Sequence, residues 1–228
     1  MATRSGEKTA SFRQEPIKET SNSALRYLDQ QKEDGDWFEH LSCLYAYNIR
    51  TFIMLGYRDD PRVQRAIELM LKTGRKDGGY LCDLHEKGKG RAPKSCVRGA
   101  AKALLAFSEL PEYWNHERCQ KLVDYFLDRN GIYKSKDHAR FVNKDMLSDS
   151  FPIIWRTNVW EILYALSKMG LGRDERLAGA WDVLESKKDA EGRYLLDWIP
   201  AQIPWKAGKR GEPNKWISLY CMLAEMYK

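Results

Sequence analysis

Gln31-Lys32-Glu33-Asp34-Gly35-Asp36-Trp37 closes the first apolar helical stretch of this chain with a glycine turn that ends on a tryptophan. The ending returns as Asp77-Gly78-Gly79-Tyr80, Asn130-Gly131-Ile132-Tyr133 and Glu191-Gly192-Arg193-Tyr194. The four aromatics stand 43, 53 and 61 residues apart, room for two helices and a variable loop in each unit. A self-similar unit at this spacing predicts a repeat architecture. The turn has a physical logic: glycine admits positive φ, and the flat ring after it can cover a helix end. Gln31 stands four residues before Gly35, where its amide can bond helix-end groups beneath Trp37.

Outward from these turns the apolar period is helical almost everywhere. The pattern predicts helices over Ser23–Gln31, His40–Leu55, Pro61–Thr73, Ser95–Leu110, His116–Asp128, Ile153–Met169, Asp174–Lys187 and Asn214–Tyr227. Asp60-Pro61 supplies an N-cap and a first-turn proline, and Gly56, Gly74 and Gly170 stand where C-terminal caps belong. No segment sustains the alternation of a strand, so strands are expected to be few. Pro61–Thr73 and Asp174–Lys187 are amphipathic, whereas Ser95–Leu110 and Ile153–Met169 are apolar most of the way round and require burial on all sides. The expectation is an all-α domain over residues 21–228, built from four consecutive αα hairpins with inner and outer helix layers. Residues 1–20 are polar and aperiodic, and are expected to form a disordered tail.

Composition sets the class. Of 228 residues 43% are hydrophobic and 31% charged, as in a globular protein that builds its core without staples. No apolar run reaches the length of a membrane span, and the N-terminus lacks the apolar stretch of a secretory signal. Five cysteines without such a signal point to reduced thiols or ligands in a cytoplasmic protein. The net charge of +6 favours anionic partners. It is spread along the chain, and basic residues do not interleave with aromatics on one face, so there is no specific nucleic-acid signal.

The repeat resembles that of the terpenoid cyclase and protein prenyltransferase superfamily, whose fold is an α-α toroid. Gln31 to Trp37 matches that superfamily's Gln-x3-Gly-x-Trp unit in full, while the other three copies keep Gly-x-aromatic and carry Gly74, Leu127 and Lys188 in place of Gln. The resemblance covers about residues 23–228 and is closest to short prokaryotic members. These share Cys96-Val97-Arg98-Gly99-Ala100-Ala101-Lys102-Ala103-Leu104, a segment like Phe151-Pro152-Ile153-Ile154-Trp155-Arg156-Thr157-Asn158, and an ending like Lys215-Trp216-Ile217-Ser218. It implies a partial toroid, since complete ones have about six hairpins. It does not carry over an activity: the chain has neither the Asp-x-Asp-Asp nor the Asp-Asp-x-x-Asp motif of cyclases, and Leu81-Cys82-Asp83 does not reproduce the prenyltransferase zinc ligands.

In such a toroid the inner helices start around one mouth, where free N–H groups and a partial positive charge suit an anion. The residues expected there are His40, Cys43, Cys96, Arg98, Trp155, Arg156, Asn158, Lys215 and Trp216. Trp155 and Asn158, three apart, would share a helix face, and the set has the aromatic and polar content of a ligand pocket. The competing reading makes Trp155 and Trp216 core packing and Asn158 a satisfied buried amide. A second constellation, Cys82-x2-His85 followed by Cys96, has the ligand types of a zinc site, though no fourth ligand is identifiable. Cys82 and Cys96 can alternatively be read as a reactive thiol pair. Cys119 falls in an apolar stripe with Leu122, Val123 and Phe126 and reads as core. His138, in the polar stretch Lys134–Lys144, is a candidate general acid or base, as is Asn158 for a catalytic role; a lone loop histidine is ordinarily just solvated. The sequence therefore predicts a protein that holds an apolar or anionic, isoprenoid-like small molecule in a central cup. Cyclase or transferase chemistry is one form of that reading. The alternative is a non-catalytic interaction module that uses its concave face or open edge, and a homodimer would cover such an edge.

Overall fold

The structure, a computed structural model, describes residues 18–37, 42–81, 94–153, 155–201, 203 and 205–228. It is mostly helical. Eight α-helices are described: α1 Lys18–Leu28, α2 Ser42–Met54, α3 Pro61–Lys72, α4 Val97–Ser108, α5 Glu117–Leu127, α6 Val159–Lys168, α7 Ala178–Glu185 and α8 Lys215–Tyr227. The strands described are the antiparallel pair β1 Tyr133–Lys134 and β2 Asp137–Phe141, within the stretch read from sequence as a polar loop. Helix α1 starts at Lys18, three residues inside the expected tail. Among the described residues no helix is long and apolar enough to cross a membrane.

Helices α2, α4, α6 and α8 pack side by side in that order, and α3, α5 and α7 cover α2, α4 and α6. The two sets differ as their sequences do. Every residue of α4 except Arg98 is buried, and every residue of α6 except Lys168, whereas α3 buries one stripe, Val63, Ala66, Ile67 and Met70. The central helices run in the same direction, because contacts join start to start and end to end. Arg98 at the start of α4 meets Trp155 just before α6, and Glu109 just past α4 meets Lys168 at the end of α6. Packed helices lie about 8–10 Å apart, so a flat row would hold α2 and α8 far out of reach of each other. Arg50 of α2 nevertheless lies 5.6 Å from the Tyr164 ring of α6 and 5.7 Å from the Tyr220 ring of α8, so the row is curved.

The turns explain how the covering helices are seated. Gly35, Gly78, Gly131 and Gly192 all adopt positive φ, from 76° to 96°. The first, second and fourth turns share one pair of bonds. Lys32, Arg75 and Asp189 donate to the carbonyls of Asp36, Gly79 and Arg193, and accept from Gly35, Gly78 and Gly192. The third is different: the Gly131 amide donates to Phe126 and Asn130 to Leu127, so the turn is the C-terminal cap of α5 itself. A Cβ on Gly78 would come within 2.3 Å of the Lys121 carbonyl of α5, and one on Gly35 within 3.0 Å of the Arg65 carbonyl of α3. Each of these turns is thus pressed against the next covering helix.

Gln31 fastens that joint, donating to the Gly35 carbonyl at 2.9 Å and the Arg62 carbonyl of α3 at 2.6 Å. It ties the turn to the next helix rather than capping its own. In the second unit the equivalent position is Gly74, and a Cβ there would collide with Arg118 at 2.0 Å. The Arg118 guanidinium, reaching back from α5, bonds the carbonyls of Arg75 and Gly78 and lies 5.1 Å from the Tyr80 ring. Gly74 is therefore the space for a replacement fastener, and the C-cap of α3 is Thr73.

Candidate functional site

At the starts of the central helices, residues 145–156 join Arg98, Trp198, Trp205, Lys215 and Trp216 in an aromatic and basic surface. The Arg98 guanidinium lies 5.0 Å from the Trp155 ring centroid, and that of Arg156 lies 3.9 Å from the Trp198 ring and 5.7 Å from that of Trp155. Both arginines face one carboxylate, Asp145: Arg98 bonds it directly and Arg156 is 4.0 Å away. The Nε atoms of both arginines are buried without a hydrogen-bond partner. A short parallel bridge between Ser150 and Trp198 brings Phe151 beside this group. Phe151 stacks on Trp216 at 5.8 Å and meets Trp205 at 5.9 Å, and the Lys215 ammonium lies 5.2 Å from the Trp216 ring. Trp155, Trp205 and Trp216 are 42%, 49% and 44% exposed, far from core packing.

Beneath this mouth the polar groups are dry. One turn below Arg98, Lys102 pairs with Glu161, both side chains wholly buried. Burial pulls the Lys102 ammonium below its ordinary range, and the Glu161 charge opposes that pull. Glu161 also accepts from the Asn158 amide at 3.0 Å and from its side-chain Nδ2 at 2.8 Å, while Asn158 Oδ1 accepts from Ser150 N and Oγ. Farther down, Glu109 gathers Arg50, Tyr164 and Lys168 at the ends of the central helices. Asp149, next to Ser150, is fully buried, neither carboxylate oxygen has a partner among the described residues, and burial pushes its carboxyl up to about 7.

The structure brings Arg98, Trp155 and Arg156 into one cluster, and sets Lys215 and Trp216 beside Phe151. It gives Asn158 another job. Helix α6 begins at Val159, so residues 155 and 158 do not share a helix face, and every polar atom of the buried Asn158 side chain ties the 150–158 segment to α6. Cys43 is half-buried in the first turn of α2. Cys96 is the N-cap of α4, half-buried and without a side-chain capping bond. His40, Cys82 and His85 lie outside the described residues, so two of the three expected zinc ligands do too. Among the described residues no three His, Cys, Asp or Glu side chains are grouped to hold a metal ion. Cys119 is buried in α5, as its stripe predicts. His138 is exposed on β2, its ring 3.1 Å from the Asp128 carbonyl at the end of α5, and no ring contact or hydrogen bond joins it to the mouth.

Sequence reasoning missed Asp145, Phe151, Trp198 and Trp205, which reach the mouth from segments outside the α-helices. It also passed over Lys102 and Glu161. Their signal was present: Lys102 and Glu161 stand within apolar runs of two helices that must be buried, away from the charges at the helix ends, and buried opposite charges are expected to pair. Comparison with protein-family models, with curated proteins and with solved structures returns no match.

Proposed function

We propose that the protein binds an amphipathic small anion at this mouth, its apolar body on the Phe151, Trp155, Trp205 and Trp216 rings and its anionic head at Arg98 and Arg156. The scaffold in this reading is a partial α-α toroid of the cyclase and prenyltransferase kind, and an isoprenoid diphosphate is the ligand class tried first. The observation that carries it is the pair of guanidiniums that share one carboxylate beside exposed indole rings. Two guanidiniums on one carboxylate leave an excess of positive charge that favours a further anion. Indole faces supply apolar contact and an electrostatic seat for the bracketing cations. The reading is one of binding, and the chain has no acid motif with which the superfamily's cyclases start their reaction.

Thermal unfolding with farnesyl diphosphate, farnesol and inorganic pyrophosphate tests it. A ligand at a hundred times its Kd adds about 2.7 kcal/mol of stability. Farnesyl diphosphate is expected to raise Tm, farnesol and pyrophosphate to raise it less, and the Arg98→Gln, Arg156→Gln double variant to lose the response. No shift with any of the three, or the same shift in the double variant, overturns the proposal.

A further inference from the structure

Helix α8 is apolar on two opposite sides. Ile217, Cys221 and Ala224 point into the core and are fully buried. Trp216, Leu219, Met222 and Met226 recur at helical spacing along the other side, flanked by the partly buried Leu223, and are among the largest hydrophobic exposures of the described residues: Met226 67%, Met222 61%, Leu219 46% and Trp216 44%. Of the nine large hydrophobic side chains exposed among the described residues, five lie on α8 (with Tyr227); of the others, Trp155 and Trp205 belong to the mouth and Leu25 and Met54 lie elsewhere, which marks this face as a patch. The fold gives the reason. α2, α4 and α6 each have a covering helix, and α4 and α6 each have two neighbours in the row, whereas α8 packs chiefly on α6.

We infer that α8 pairs with α8 of a second copy of this chain, antiparallel about a two-fold axis near Met222. The charge on this face is Lys215 at its N-terminal end, four residues before Leu219, so the middle and far end of the stripe meet their own image without burying a charge. Its side chains offer roughly 500 Å² of apolar surface per copy. The roughly 1,000 Å² across the pair is about the lower limit for a specific interface. Antiparallel pairing sets Lys215 of one copy by the negative C-terminal end of its partner's helix, whereas parallel pairing would set Lys215 against Lys215. A small-molecule ligand is the poorer occupant, because the convex side of a helix lacks the concavity that buries one. An isologous pair closes on itself, and the next copy finds no free stripe.

The experiment is mass by light scattering and sedimentation across the micromolar range, on the wild type, Met222→Lys and Met222→Glu. Met222 is mostly exposed, so both variants are expected to keep the wild-type circular dichroism and Tm. The wild type should show twice the chain mass of 26.6 kDa, and each variant alone should be monomeric. Mixing the two variants should restore the pair, because residue 222 would then face its opposite charge across the axis. A monomeric wild type, a dimer that either single variant leaves intact, or a mixture that stays monomeric overturns the inference.

Discussion

Two ion pairs lie one turn apart on α4 and have opposite characters. Arg98 meets Asp145 with about a third of each side chain exposed (32% and 34%), and Lys102 meets Glu161 with none. An open pair contributes about 0–1 kcal/mol and can exchange its partner for a ligand. A dry pair cannot exchange, since removing either charge strands the other in a medium that does not solvate it. Under the proposed function the same chemistry would serve recognition at the mouth, while at the centre it holds register, where Glu161 also ties down the segment that carries Phe151, Trp155 and Arg156. Depth along one helix decides which.

The largest break in this comparison is Glu161→Ala, which leaves Lys102 and Asn158 without their acceptor. It is expected to cost about 3–5 kcal/mol in denaturant unfolding, and Lys102→Met with Glu161→Leu to cost clearly less than the two single changes added. Next in size is Asp149→Asn. The groups facing Asp149 are Lys187 after α7, Asp197, Glu161 of α6 and Cys221 of α8, and burial outweighs the Lys187 charge. Its folded-state carboxyl is raised above the ordinary 3.8, so folding binds a proton. That stability is full below the unfolded value and is lost as pH rises through about 7. Between about pH 5 and about pH 8 the wild-type urea midpoint should therefore fall relative to the asparagine variant. Equal slopes would show that Asp149 has a partner. Smallest is Arg98→Gln, expected within about 1 kcal/mol of wild type by the same measurement, with its effect confined to ligand binding. A cost near that of Glu161→Ala would erase the distinction between open and dry.

What could be read from the chain follows the range of the forces. Caps such as Asp60, which accepts from Arg62 N, and turn glycines at positive φ depend on neighbours within a few residues and were legible. Gln31 was half legible: its bond to Gly35 is local, but its bond to Arg62 spans 31 residues. Arg118 standing in for the missing glutamine was not legible, because Gly74 reads as a cap until the next helix is in place. The same holds for Trp198 and Trp205, whose loop has no periodicity to place it.

By itself the sequence determined a mostly helical chain with four Gly-x-aromatic turns, buried α4 and α6, amphipathic covering helices, and a set of basic and aromatic residues near the starts of the central helices. Periodicity, capping and glycine torsion are local, so they survive without coordinates. Only the tertiary structure decided that Arg98 and Arg156 share Asp145 across Trp155, that Asn158 is a strut, that Lys102 and Glu161 are dry, and that α8 keeps an apolar face uncovered. Each of these depends on which segments distant in sequence lie side by side and on how much water remains between them.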